Sequence, residues 1–227
     1  MPASQAHGFT WERDLLTKVY QAPESELATL SYTAKNDLPA AMNRRDPGVA
    51  VSVKTSGNPK SVDMGSALRI FDAVSSGEKL HMTVIFYAQE DTTTKRIREI
   101  IEVDITDARE PLFGSLGRSD VEALDAVVRA VPQKRSPTAE EHAAIYSLQP
   151  ALNKRAGAIQ LRPKCDSQQS RLQCSFNHFD TFLATHPTRV IHRGIAADFR
   201  GASIQETISS TRRVRHLTAG QQSGAAE

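Results

Sequence analysis

Residues 46–54 read Asp46-Pro47-Gly48-Val49-Ala50-Val51-Ser52-Val53-Lys54, and this stretch decides the fold. Aspartate, proline and glycine in succession favour a tight turn, because each residue type suits a different turn position. The valines that follow alternate with small or polar residues, which is the pattern of a β-strand. Successive strand side chains point to opposite faces, so we expect Ser52 and Lys54 to share one face of this strand.

Toward the N-terminus, apolar residues at close to helical spacing predict a helix over residues 9–20. Ala22-Pro23 ends this helix, because proline has no N–H donor and disfavours a helical residue before it. Residues 27–34 favour a strand, although residues 24–29 fit an extension of the helix equally well. With Asn36-Asp37-Leu38-Pro39 next in the chain, the expected order is helix, strand, turn, strand.

Toward the C-terminus, helical and strand patterns alternate. In order, they predict a loop at 55–60, a helix at 61–71, a hairpin of strands at 80–88 and 97–105, helices at 107–130 and 137–155, a second hairpin from 158–163 and 171–176, and a helix at 178–185. This pattern predicts an α/β fold with a central mixed β-sheet flanked by helices and an additional C-terminal β-hairpin. We expect one domain over residues 1–207, with its core at about 8–105 and a helical and hairpin part at about 107–207, and a flexible basic tail at 208–227.

Composition narrows the class of protein. The 227 residues are 39% hydrophobic and 24% charged, as in an ordinary soluble globular chain. No stretch approaches the roughly 20 apolar residues that a membrane helix needs, and the first residues lack the pattern of a secretory signal. Two cysteines in such a chain predict a reducing, cytoplasmic location. The spacing of Cys165, Cys174 and His178 is wider than in structural zinc sites, so we interpret Cys174 as a small core residue.

Three residues that could act on a phosphodiester occur in the predicted elements. Glu12 lies in the first helix, Asp37 precedes the turn, and Lys54 ends the strand. Carboxylate oxygens are the ligands that Mg²⁺ prefers, and a lysine can stabilise developing negative charge or position an attacking water. A metal-dependent nuclease would use such groups together.

This arrangement resembles the PD-(D/E)XK nuclease superfamily, which includes type II restriction endonucleases and Holliday-junction resolvases. The resemblance covers roughly residues 8–105, with Asn36-Asp37 standing for the "PD" element, Ser52-Val53-Lys54 for "(D/E)XK", and Glu12 for the glutamate often supplied by the first core helix. It implies a restriction-endonuclease-like core and Mg²⁺-dependent cleavage of DNA, of a sequence-specific restriction type acting as a homodimer. Asp37 would bind the metal, Lys54 would position or polarise the attacking water, and Glu12 would be a ligand or a ligand's partner.

Ser52 departs from the superfamily pattern, because a neutral serine stands where a second carboxylate is expected. Asp63 and Asp72 follow in the predicted helix at 61–71 and just after it, and Asp63 is the better replacement because it would lie at the start of that helix. The same position suits a capping or first-turn acid, so both interpretations stay open. The metal-ligand set implied by the resemblance is Asp37, Glu12, Ser52 and Asp63.

Basic and amide side chains form the second informative group. Residues 151–227 carry 11 Lys and Arg against 5 Asp and Glu, whereas residues 1–150 carry 17 against 21. Arginine and glutamine suit contacts with base edges, and a two-stranded ribbon fits the major groove. The residues expected to contact DNA are Asn58, Lys60, Arg69, Arg162, Lys164, Gln169, Arg171 and Gln173. Two alternatives remain: a nuclease-like protein that binds DNA without cutting it, and a protein-interaction or regulatory domain.

Overall fold

The turn at 46–49 leads into a buried strand, as the sequence predicts, and this strand lies at one edge of the central sheet. The structure, a computed structural model, describes residues 10–30, 36–133, 135–165 and 170–209. Its strands are β1 (Ala50–Ser56), β2 (Val62–Ser66), β3 (Leu80–Gln89), β4 (Thr94–Asp104), β5 (Ile159–Cys165), β6 (Ser170–Phe176), β7 (Val190–Ile195), β8 (Asp198–Phe199), β9 (Ala202–Ser203) and β10 (Thr207–Ser209).

Helices surround these strands. They are α1 (residues 10–14, continuing as a π-helical turn at Leu15–Val19), α2 (Glu24–Leu27), α3 (Ala67–Ser75), α4 (Arg109–Phe113), α5 (Arg118–Ala130), α6 (Ala139–Arg155) and α7 (Phe179–Thr185), with 3₁₀ turns at Ala40–Met42 and Pro187–Arg189. Of the two alternatives for this part of the chain, a strand at 27–34 or a helix at 24–29, the structure shows the short helix α2. Residues 31–35 lie outside the described part of the chain. None of the helices that the structure describes has the length and apolar character needed to cross a membrane.

The central sheet has the order β1-β3-β4-β10, and β7 also pairs with β4. The pair β1–β3 is parallel and is connected through β2 and α3, whereas β3–β4, β4–β7 and β4–β10 are antiparallel. The prediction of an α/β fold with a central mixed sheet flanked by helices is therefore confirmed.

A second sheet has the order β2-β6-β5 and is antiparallel throughout. The predicted C-terminal hairpin is its β5–β6 pair. This hairpin is not a free two-stranded ribbon, because the other edge of β6 pairs with β2. The two-stranded sheet β8–β9 follows β7.

The predicted helix at 61–71 is wrong in its first half. Val62 and Met64 are buried as alternating residues of β2. The register with β6 shifts between Asp63 and Gly65, where the φ of Gly65 is +92°, and α3 begins only at Ala67. Such a positive φ is readily adopted by glycine and rarely by other residues. Pairing of this segment with β6, more than 100 residues later, overrides its local helical spacing.

The predicted helix at 107–130 is two helices, α4 and α5, separated at Gly114. Gly114 has a φ of +58°, and a Cβ atom there would lie 2.3 Å from the Arg155 carbonyl oxygen, so only glycine fits. At the C-terminal end, β10 extends into the segment predicted as a tail, and Ile208 is buried there. The rest of that segment, residues 210–227, lies outside the described residues.

Each face of the central sheet covers its own hydrophobic core. The first core joins one face to α3, α5 and the second sheet, with Met82, Val84 and Phe113 among its members. The second core joins the other face to α1 and the segment from Ala197 to Ile208. The edge strand β1 contributes to both cores, and the candidate site lies along it.

Candidate functional site

Asp37 is held at the free edge of β1 by backbone pairing. Leu38 and Val51 exchange two backbone hydrogen bonds, each 2.9 Å long. Two residues further along β1, the Val53 N–H donates to Asp37 Oδ2 at 2.7 Å. The carboxylate thus accepts the hydrogen bond that a neighbouring strand would otherwise accept at this edge. The carboxylate therefore has a fixed position relative to the strand that carries Ser52 and Lys54.

Asp37 Oδ2 also contacts two side chains of β1. Ser52 Oγ donates to Asp37 Oδ2 at 3.1 Å, and Lys54 Nζ lies 3.4 Å from it. Both side chains come from the same face of the strand, as the alternation predicts. In the described part of the chain no donor is hydrogen-bonded to Asp37 Oδ1, so one carboxylate oxygen is available to a ligand.

Glu12 reaches this group from α1. Its neighbour Trp11 is fully buried in the second core, which directs Glu12 to the half-buried margin of the helix. The pKa of Glu12 is raised from 4.5 to about 7, chiefly by burial and also by the Asp37 carboxylate, while Lys54 acts in the opposite direction. Glu12 is therefore within electrostatic reach of both residues. The structure shows direct contacts between Asp37 and Lys54, and no hydrogen bond or ion pair joins Glu12 to either of them in the described residues.

Two half-buried carboxylates beside one ammonium group form an environment that favours a cation. Within the described ranges, no three His, Cys, Asp or Glu side chains gather as a metal-binding group. Mg²⁺ retains several waters and is often held by one or two carboxylates together with substrate phosphate. The carboxylates of Glu12 and Asp37 fit that requirement, whereas they do not fit a site in which the protein supplies every ligand.

Asp63 is not at a helix start, so the capping interpretation and the reason for choosing it as a ligand are both wrong. It lies exposed on β2, opposite Ser175, and its Oδ1 accepts from the Gly65 N–H at 2.9 Å. No hydrogen bond or ion pair joins Asp63 to Glu12, Asp37 or Lys54 in the residues that the structure describes. Asp72, the other acid considered, is ion-paired with Arg118 at 2.8 Å.

The side chains expected to contact DNA fall into two groups. In the loop after β1, Asn58 Oδ1 accepts from the Lys60 N–H at 2.9 Å, which is a turn contact; both residues are exposed, as is Arg69 on α3. On the second sheet, Arg162 is exposed, Lys164 and Arg171 are half-buried, and Gln173 is buried. Gln169 lies outside the described residues.

Sequence reasoning missed the residues that hold α1 in place. The indole N–H of Trp11 donates to the Gln205 carbonyl at 2.7 Å, and the Gln205 N–H donates to Asp14 Oδ2 at 2.8 Å. These contacts place the helix that carries Glu12 against the end of the described chain. They join residues more than 190 positions apart, and no local pattern signals them.

A polar network centred on the buried Glu102 was also missed. Arg200 donates to both carboxylate oxygens of Asp46, at 2.5 and 2.9 Å, and to Glu102 Oε2 at 3.1 Å. Glu102 is fully buried and also lies 2.8 Å from His81 Nδ1. The network ties the turn before β1 to the β8–β9 hairpin. The sequence did signal an unusual group, because Glu102 is a carboxylate within a predicted strand. Its partner Arg200 is 98 residues away, so the local spacing of residues could not identify it.

Comparisons with known proteins do not identify a family for this chain. No protein-family model, no curated protein and no solved structure matches the chain.

Proposed function

We propose that the protein is a metal-dependent endonuclease that hydrolyses phosphodiester bonds in DNA, with Glu12, Asp37 and Lys54 as its catalytic residues. The observation that carries the proposal is the contact of Asp37 with Ser52 and Lys54 at the edge of β1, with the half-buried Glu12 on α1 within their electrostatic reach. Their resemblance to the PD-(D/E)XK arrangement supports the same activity.

Each side chain has a distinct role in this proposal. Asp37, held in place by the Val53 N–H, and Glu12 are the carboxylates that would hold the metal. Mg²⁺ bound there would supply the positive charge that stabilises the transition state of phosphodiester hydrolysis. Lys54 positions the attacking water or a phosphate oxygen through its ammonium group. Ser52 supports Asp37 through its hydroxyl hydrogen bond.

The raised pKa of Glu12 supports this assignment. Carboxyl groups with perturbed pKa values in partly buried clusters are frequent at functional sites. A cation bound by Glu12 must compete with a proton near pH 7. We therefore expect Mg²⁺ or Ca²⁺ binding to weaken as the pH falls below 7 and to release protons, which isothermal titration calorimetry in buffers of different ionisation enthalpy measures.

Nicking of supercoiled plasmid tests the activity. We expect cleavage by the wild-type protein with Mg²⁺ and none with EDTA, and a loss of at least about 100-fold in rate for Asp37→Asn and Lys54→Ala. Asp198→Asn and Lys79→Ala, at exposed positions away from the site, are the matched controls and should cleave at the wild-type rate. Cleavage that survives at Asp37→Asn and Lys54→Ala contradicts the proposal. Binding without cleavage supports the alternative of an inactive DNA-binding protein.

A further inference from the structure

A groove lies between α7 and the connection from α6 to β5, at one end of the second sheet. Its volume is about 350 Å³, and no residue of the candidate active site lines it. A volume in this range is typical of pockets that hold a small molecule. We call it the α7 groove; the lining residues used below are Gln160, Asn177, His178, Thr181, Phe182 and His186.

Both walls of the α7 groove are held by contacts with the rest of the fold. On α7, the rings of Phe179 and Phe182 pack against Phe176, each with a centroid distance of 4.9 Å. On the opposite wall, the Ala158 N–H donates to the Pro111 carbonyl at 2.9 Å. A groove with fixed walls exists before a ligand binds, so less ordering is needed on binding.

Several polar side chains of the α7 groove are not used by the fold. In the described residues, the amide of Asn177, the hydroxyl of Thr181 and the imidazole of His178 make no hydrogen bond to the protein. Asn153 lines the same groove and shows the contrast. Its Oδ1 accepts from the Leu161 N–H at 2.7 Å, and its Nδ2 donates to the Leu161 carbonyl at 3.2 Å. Asn153 therefore supports the fold, whereas the other three groups are available to a ligand.

The lining of the α7 groove contains no acidic or strongly basic side chain. Among the described residues that line it, none is Lys, Arg, Asp or Glu, although these four types make up 24% of the chain. A charged ligand would lose hydration there without gaining an opposite charge, and a charge removed from water without a partner is costly. The groove therefore favours an uncharged ligand over a phosphate-bearing nucleotide or a nucleic acid strand.

The lining groups match the edge and the plane of a nucleobase. The amides of Asn177 and Gln160 each carry a donor beside an acceptor. Such an amide makes two hydrogen bonds with adenine, whose N6 amine donor lies beside the N7 acceptor. The rings of Phe182 and His186, with centroids 4.9 Å apart, form an aromatic part of the lining, and His186 is partly exposed. Bases stack on side chains of this kind, so an uncharged ligand with a suitable edge, a flat ring and hydroxyl groups is a nucleoside.

We propose that the α7 groove binds an uncharged adenine nucleoside. The amides of Asn177 and Gln160 hydrogen-bond the edge of the base, the His186 ring packs against its plane, and Thr181 contacts the ribose hydroxyls. The ligand is a free small molecule, and its site is separate from the candidate active site. The proposal therefore does not depend on the proposed nuclease function.

Isothermal titration calorimetry of the full chain with adenosine, purine riboside and AMP tests the ligand class. We expect adenosine to bind with a Kd on the order of 100 µM. Purine riboside lacks the N6 amine and should bind about 10-fold more weakly, because one hydrogen bond of the pair is lost. AMP should bind at least about 5-fold more weakly than adenosine, because its phosphate meets no Lys or Arg side chain in the described lining.

Substitutions in the α7 groove test the location of the site. Asn177→Ala and Gln160→Ala should each weaken adenosine binding about 10-fold. Gln133→Ala, at an exposed glutamine outside the groove, is the matched control and should leave binding unchanged. Asp37→Asn should also bind adenosine as the wild type does, which separates this site from the catalytic proposal. If Asn177→Ala does not fold, Thr181→Trp at an exposed position of α7 fills the groove and should abolish binding.

Three results would overturn the proposal. The first is the absence of binding at millimolar adenosine, or binding that survives both Gln160→Ala and Thr181→Trp. The second is tighter binding of AMP than of adenosine, which contradicts the preference for an uncharged ligand. The third is tighter binding of glucose than of adenosine, which would show that the groove takes a sugar in place of a base.

Discussion

At the scale of single residues, Asp37 is ion-paired with Lys54, and Glu12 is a second carboxyl group within electrostatic reach of both. The Val53 N–H and the Ser52 hydroxyl stabilise the charge on Asp37, whereas in the described residues Glu12 has no comparable donor. Burial is the main reason that the pKa of Glu12 is raised, and the negative charge of Asp37 adds to the effect. Without a bound cation, the ionised form of Glu12 therefore destabilises the fold, and such a cost is common where a site is arranged for function.

Glu12→Gln should stabilise the metal-free protein at alkaline pH. The folded state holds a proton on Glu12 between pH 4.5 and about 7 that the unfolded chain releases, so the free energy of unfolding falls as the pH rises through this window. Above pH 7 the full penalty is present, on the order of 3 kcal/mol. Urea unfolding in EDTA at pH 8 should show a gain of about 1–3 kcal/mol for Glu12→Gln, which disappears near pH 4.

The exposed Asp198→Asn variant removes a carboxylate outside the site and serves as the control. A lower stability of Glu12→Gln than of the wild type at pH 8 would show that the ionised carboxylate supports the fold. The electrostatic interpretation of the site would then be wrong.

Residue-scale geometry was predictable where it followed from strand periodicity. Ser52 and Lys54 share a face because they are two positions apart, and Asp37 reaches them because the turn at 46–49 returns the chain to the edge of β1. The position of Asp63 was not predictable. Its segment carries both helical and strand spacing, and β6 decides between them through contacts distant in sequence.

At the scale of elements, the β8–β9 hairpin acts as a clamp through Arg200. This residue has a left-handed backbone, with φ of +52°, and is followed by Gly201 with φ of +77°. From this turn its side chain reaches Glu102 on β4 and Asp46 before β1. The guanidinium holds the pKa of the Asp46 carboxyl below its usual range, chiefly through their hydrogen bonds. The clamp joins the turn that starts β1 to the middle strand of the sheet.

Arg200→Ala should destabilise the protein by about 3 kcal/mol or more, because it leaves the fully buried Glu102 carboxylate with a missing charge partner. Alanine keeps the Cβ atom, so the backbone cost at this turn is unchanged. Arg193→Ala is the matched control: it breaks the exposed pair with Glu99 and should cost less than about 1 kcal/mol. Thermal and urea unfolding measure both values. Similar losses in the two variants would contradict the clamp.

At the scale of the whole molecule, the central sheet separates two hydrophobic cores. The described chain closes on itself where Trp11 and Asp14 meet Gln205. The α/β class and most strand pairs were predictable, because they depend on local periodicity and short connections. This closure and the Arg200 clamp were not predictable, because each depends on contacts between residues 98 to 194 positions apart.

The two cores should unfold in one transition, because both depend on the same sheet. Trp11, the single tryptophan, reports on the second core, and far-UV circular dichroism reports mainly on α5 and α6 beside the first core. Leu124→Ala in the first core and Ile85→Ala in the second should each lower stability by about 2–5 kcal/mol. Each substitution should move the urea midpoints of both probes together. A midpoint that shifts for only one probe would show that the cores unfold separately.

The hydrogen bond from the Val53 N–H to Asp37 has a consequence for solubility. β1 is an edge strand with buried valines in alternation, and an exposed edge of this kind can recruit strands from other molecules into aggregates. A charged side chain that occupies one backbone donor and lies along the edge blocks such recruitment. We therefore expect Asp37 to reduce edge-to-edge association of β1 in addition to the role proposed for it in catalysis.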